Sequence, residues 1–364
     1  MYYIFGKMST ETAYFFLKYS FAPSHEEKGI NKMKKNIFAV LLLLIAFSAV
    51  TFGELIKHRD TEEVAVSSGN IKWVDFSVTK SALSDALALS LKSHETENPL
   101  AFSDILAYAS AKCYGEYKNY KSSVLTPLAE GKVSLDEMSA ENSLLRYYRE
   151  AYGAAVGGLV GPYTSVTTLE DGSVVEEEKY GLRAFSPIAS GYYYTAYDDF
   201  GASRSYGYKR SHLGHDMLGS VGTPIIAVES GTVEACGWNQ YGGWRIGIRS
   251  FDGMRYYYYA HLRKDHPYND IYEGKIVNAG EVIGYLGMTG YSAKENTNNI
   301  NVPHLHFGLE LIFEPEQKDG YNQIWIDVYA LTQFLSGNKS SVVKNEGSGE
   351  YYAKTVYVYP ETPD

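Results

Sequence analysis

Five of the nine histidines fall in three short pieces: His212-Leu213-Gly214-His215-Asp216, Tyr259-Ala260-His261-Leu262 and His304-Leu305-His306. A lone histidine is usually structural. Imidazole and carboxylate groups that converge on one point can hold a zinc ion and leave one position for water. His212 and Asp216 are four residues apart and can share a face, in a helical turn or an extended segment. Gly214 between them would let the backbone pass close to a metal. His304 and His306 alternate by two, so on a strand both enter the same cleft. Pro303 suits the start of that strand, where a missing N–H does least harm. His261 closes an aromatic run at 254–261, and strict alternation puts Tyr257 and Tyr259 on its face. Each motif alone is a moderate signal. The ordered set HxGxD, YxHL and PHLHF is a strong one, and it points to a metal centre that keeps a position for water.

The elements that must position these groups read as strands. Segments 225–228, 232–235, 244–250, 254–261 and 281–286 have strand character, and Asp252-Gly253 makes a tight turn between two of them. Frequent turns with few helices indicate an all-β domain at 184–337. Ahead of it, 166–169 and 173–176 flank Asp171-Gly172, a hairpin signal within a hairpin or linker at 166–183. Residues 78–165 read as a helical stem. Thr79 can cap a helix at 80–92 with Leu83, Leu87 and Leu91 along one side, and a second helix covers 102–114. A third opens with Ser134-x-x-Glu137 and runs through Leu144, Leu145, Tyr148 and Tyr152 to Gly157-Gly158. The stem shows no metal spacing and no nucleophile constellation. Residues 338–364, rich in Ser, Gly and Glu and then dotted with Pro, read as a mobile tail. The fold class expected is α+β overall: a mainly antiparallel β domain preceded by a small helical stem.

Residues 33–53 join Met-Lys-Lys-Asn to an apolar run at 37–52, the pattern of a signal peptide or signal anchor. Residues 1–32 read as an extension upstream of a true start at Met33, or as a short cytoplasmic tail, and 54–77 as a linker. The bulk of the chain is therefore expected outside the cytoplasm, anchored in a membrane, secreted or associated with a cell wall. A net charge of −10 argues against a nucleic-acid partner. Cys113 and Cys236 are too few for a disulfide scaffold and read as free buried thiols, or as one bridge. Tyrosine is unusually abundant: 34 residues, 22 of them from Tyr180 onward. Tyr suits wet recognition surfaces, and 192–194, Tyr206, Tyr208, Tyr241, 256–259 and Tyr291 flank the histidine motifs.

Residues 184–337 resemble the lysostaphin/LytM-type zinc metalloendopeptidases, which cleave peptide bonds in bacterial peptidoglycan. Further matching pieces are Gly222-Thr223-Pro224, Gly242-Gly243 and Gly280-Glu281-Val282-Ile283-Gly284. The resemblance implies one zinc ion held by His212, Asp216 and His306, with His261 and His304 as the two catalytic histidines. It implies an antiparallel β fold with a narrow groove and peptidoglycan peptides as substrate. Tyr259 and Tyr257 are expected to meet substrate or donate to the oxyanion, and His215 is expected to face away from the metal. The 13 residues at 291–303 form a longer loop than compact members carry. A non-catalytic cell-wall binding module of the same fold and a zinc amidase are the alternatives. No partner for the stem is indicated.

Overall fold

A computed structural model describes residues 74, 76–205, 209–318 and 320–363. The segments expected at 1–32 and 33–53, nearly all of the 54–77 linker, and Tyr206 and Tyr208 lie outside the described residues. Among the described residues no helix is long and apolar enough to cross a membrane.

Thr79 caps the first helix, Lys80–His94, by accepting the Ala82 N–H. A step of four residues overshoots the 3.6-residue turn by about 40°, so the leucine row drifts off the buried face. Leu83 is fully buried, whereas Leu91 is 40% exposed. The helix Phe102–Cys113 packs against a third, Ser143–Val156. The sequence read one helix from Ser134 to Tyr152, but there are two. Ser134 caps a short helix, Leu135–Glu141, and Asn142 then restarts the chain by accepting the Leu145 N–H at 3.0 Å.

The strand Val160–Thr168 pairs antiparallel with Val174–Leu182. Its other edge is taken by Thr355–Val358, which overturns the mobile tail expected at 338–364. Tyr359 is buried and donates to the Arg183 carbonyl at 2.5 Å, and Glu361 pairs with Arg183 at 2.9 Å. The polar run at 345–350 hid this in the sequence. It is a turn that lets Val342–Lys344 pair with Tyr351–Ala353 before the chain fills a free sheet edge.

The site is built on an eight-stranded antiparallel sheet. Its order is Ile276–Val277, Gly231–Asn239, Gly243–Ser250, Arg255–Ala260, His304–Leu311, His215–Leu218 and Thr195–Ala196, with Ile324–Ile326 also on the His304–Leu311 edge. One face is core, with Ile246, Ile248, Tyr257, Tyr259, Phe307 and Leu309 buried on it. The helices share that core rather than standing apart: Phe102 stacks on Phe334 at 6.2 Å, and Arg255 donates to the Ala154 carbonyl at 2.7 Å. The opposite face forms the floor of a groove.

Candidate metal centre and groove

Strand pairing sets Asp216 directly opposite His306. His212 lies just upstream of the Asp216 strand, its backbone held by Gly201 and Ala202. The three side chains close on one another. His212 Nε2 is 2.8 Å from His306 Nδ1 and 3.0 Å from Asp216 Oδ1, and His306 Nδ1 is 3.2 Å from Asp216 Oδ1. Gly214 is needed for this approach. The space goes to the His306 ring rather than to a metal, because a Cβ at Gly214 would stand 2.6 Å from His306 Cε1 and 2.7 Å from the Phe307 carbonyl. Two imidazoles and one carboxylate make a donor set suited to zinc and short of its four positions. Burial works against the charge of Asp216, yet the His212 and His306 rings hold it well below the usual carboxylate range. Burial also lowers His306, which favours the neutral imidazole that binds metal.

His304 lies on the same face as His306, as alternation requires, with Nε2 3.7 Å from Asp216 Oδ1. Its ring is 4.8 Å from that of His261. His261 Nδ1 meets the Thr289 carbonyl at 2.9 Å, and His304 Nδ1 meets that of Val302 at 2.8 Å. Both rings therefore carry the proton on Nδ1 and leave Nε2 free to accept. Burial, and then the neighbouring His304 and His306, push the His261 imidazole well down. His215 points away from the cluster: its Nδ1 meets the Tyr197 carbonyl at 2.8 Å and its ring meets the edge of Tyr329.

Tyr257 and Tyr259 do not line the groove, contrary to the expectation from alternation. Both are fully buried in the core. Tyr257 donates to Glu229 at 2.6 Å, and the Tyr259 hydroxyl accepts the Val228 N–H at 3.0 Å. The reason is His261, whose φ of +62° is left-handed. The strand ends at Ala260, and the turn at His261 swings its ring to the face of Tyr258. Among the described residues, the tyrosines that line the groove are Tyr241, Tyr256, Tyr258 and Tyr291. Tyr192 and Tyr193 belong to a separate depression with Val302 and Pro303.

Two further residues escaped the sequence reading. Asp199 receives His212 Nδ1 on its carbonyl at 3.1 Å and has Oδ2 3.2 Å from the same atom, which fixes the ring. Arg204 bridges Asp199 Oδ2 at 2.5 Å and Asp216 Oδ2 at 3.1 Å. The sole trace in the sequence is an acidic pair, Asp198-Asp199, and an arginine within the turn-rich segment ahead of His212.

The groove encloses about 760 Å³ and runs from this cluster to Glu310 and Trp325. Glu310 is buried, and Oε1 has no hydrogen-bond partner among the described residues. Desolvation raises its carboxyl from an ordinary 4.5 to about 7, with Arg249 opposing. The folded state thus keeps a proton that the unfolded chain releases. The stability from this proton is complete below pH ~4.5 and is lost as pH climbs to ~7, a change of about 3 kcal/mol. Glu310→Gln should flatten that dependence: urea midpoints of the two proteins should nearly coincide at pH 5, and the variant should be more stable at pH 8. Parallel midpoints across the range would contradict it.

Residues 210–319 match the model of peptidase family M23. An L-Ala–D-Glu endopeptidase from Bacillus subtilis is 39% identical over 130 residues, covering 35% of this chain and 38% of that protein. Lysostaphin from Staphylococcus simulans is 41% identical over 97 residues, covering 26% of this chain and 17% of that protein. The crystallised catalytic domain of lysostaphin from the same organism is 29% identical, with a TM-score of 0.30, over 38% of this chain and 92% of that one. The chain therefore spans well under half the length of the two curated relatives.

Proposed function

From a chain that carries a peptidase family M23 domain across residues 210–319, we propose a zinc-dependent endopeptidase that hydrolyses peptide bonds in the stem or cross-bridge peptides of bacterial peptidoglycan. The observation that carries this reading is the convergence of His212, Asp216 and His306 within hydrogen-bond distance, with His261 and His304 alongside. No position of the expected set is lost, which sets a non-catalytic binding module aside.

His212, Asp216 and His306 would hold the ion, and Asp199 and Arg204 hold His212 and Asp216 in place. Zinc there would supply Lewis acidity and the means to activate a water near neutral pH. His261 and His304 do the proton work. With Nδ1 committed to backbone carbonyls, each presents Nε2, which can take a proton from an attacking water and return it to the leaving amine. Tyr291, whose ring meets the edge of His261 at 5.7 Å, and Tyr258 wall the reacting peptide in. The chain works outside the cytoplasm, directed there by residues 33–53 and either held by 37–52 or released by cleavage.

The relative from Bacillus subtilis is named for the bond between L-Ala and D-Glu, and that bond is the first expected site of cleavage. Mass spectrometry of peptidoglycan fragments, with and without a chelator, tests the reading. New amino termini within stem or bridge peptides, lost on chelation, are expected. Release of intact stem peptides would instead make the protein an amidase, and cleavage indifferent to chelator would remove the zinc mechanism.

A further inference from the structure

Among the described residues the groove carries five cationic side chains, Arg204, Arg210, Arg245, Arg249 and Lys318, in a chain of net charge −10. Four of them have partners. Arg204 pairs with Asp199 and Asp216, and Arg249 and Lys318 pair with Glu234. Arg210 donates to the Tyr291 hydroxyl at 3.2 Å and lies over the rings of Tyr241 and Tyr291. Arg245 makes no ion pair among the described residues, and its Nε is buried with no hydrogen-bond partner. A desolvated guanidinium N–H without an acceptor is costly, and such groups are normally satisfied by protein, water or ligand.

Its place is set by the sheet. Ile246 and Ile248 are buried on the core face, so Arg245, Gly247 and Arg249 face the groove. Tyr259 pairs with Ile246 and Ala260 with His306, so Arg245 lies across Ala260 from His306. Two strand spacings put it ~10 Å from the metal centre, roughly three residues of extended peptide. Two hydroxyls share that stretch of floor. The Tyr256 ring lies over Gly247, where any Cβ would overlap its hydroxyl. The Tyr258 hydroxyl accepts from Asn239 Nδ2 at 3.1 Å, which leaves its own O–H to donate. Burial pushes the Tyr256 phenol up to about 12, so it stays a donor at neutral pH.

We propose that Arg245, with the hydroxyls of Tyr256 and Tyr258, forms a carboxylate-binding position that selects substrate peptides carrying a free carboxylate two to three residues from the bond at the metal centre. The guanidinium only donates, the Tyr258 hydroxyl has its acceptor role taken by Asn239 and the Tyr256 hydroxyl can donate beside it. The position thus offers mainly donors, the pattern that recognises a carboxylate rather than its amide, with Glu310 opposite Tyr256 as the nearby acceptor. This rests on the reading that the groove takes a peptide.

The test uses the full, zinc-loaded chain carrying His304→Ala to suppress turnover, and synthetic stem peptides whose carboxylates are replaced by carboxamides one at a time. Binding is followed by calorimetry. Amidation at one position should weaken binding about 10- to 100-fold. That position tells a side-chain carboxylate from a carboxyl terminus. The discrimination should vanish in Arg245→Gln and return in part in Arg245→Lys. Equal affinity for every acid and amide pair, absence of peptide binding, or full discrimination in a folded Arg245→Gln chain would overturn the proposal. Cleavage of the same peptides by the chain with His304 intact reads the other claim: selective binding without cleavage would refute the endopeptidase and leave Arg245 its role, and unselective cleavage would do the reverse.

Discussion

His306→Ala should lose zinc and peptide cleavage together. His306 stands at the centre of the cluster, with Nδ1 within 3.2 Å of donor atoms on both His212 and Asp216 and its ring 5.9 Å from those of His261 and Tyr258. Without it two donors remain, too few for a stable zinc site. The Lewis acid supplies several kcal/mol of the rate, so kcat/KM should fall by ~1000-fold or more. Stoichiometric zinc by elemental analysis should fall with it. His304→Ala separates holding the metal from moving the proton: it should retain zinc and lose about 100- to 10,000-fold in turnover. Full zinc occupancy in His306→Ala would show that the ligands lie elsewhere.

The contrast between these variants rests on residues whose placement on one face was legible from spacing, while their separate roles are what the family resemblance implies. Alternation by two on a strand survives folding, so His304 and His306 share a face, and the register then brings Asp216 opposite His306. The same rule failed one strand away. His261 sits in a left-handed conformation that no sequence pattern announces, since its cause is a long-range bond from its N–H to the Gly242 carbonyl at 2.7 Å. The tyrosine excess therefore divides: Tyr256 and Tyr258 face the groove, while Tyr257 and Tyr259 fill the core. Asp199 and Arg204 come from a turn-rich stretch without periodicity, so nothing marked them as supports of His212 and Asp216. The strand Thr355–Val358 was missed because its partner, Val160–Thr168, lies nearly 200 residues upstream. Pairing across that distance leaves no local trace.

Arg255→Ala should be the most destabilising single substitution on the core face of the sheet, at about 3–5 kcal/mol. Arg255 is 1% exposed. Its Nε and Nη2 reach the two oxygens of Glu229 at 2.8 and 3.0 Å, and Nη2 also meets Asp252 at 2.6 Å. Nη1 donates to the Ala154 carbonyl, one of the last four of the helix Ser143–Val156, which lack partners within the helix. One side chain thus neutralises a buried carboxylate and ties the end of the helical stem to the sheet. Gly158 is the complement, because a Cβ there would overlap Arg255 Nη2 and Glu229 Oε1. Deleting the guanidinium leaves the Glu229 carboxylate in the core with Tyr257 as its remaining donor among the described residues. Much of the loss is therefore the stranded charge, and Arg255→Met combined with Glu229→Gln should recover a large part of it in urea unfolding. A double variant no more stable than Arg255→Ala would show that the bond to Ala154, not the charge, dominates. Either way the stem is not a detachable spacer. A chain cut at 184 would lose the Ala154 acceptor and the Phe102 ring that stacks on Phe334, so the peptidase domain alone should unfold at lower urea than the full chain.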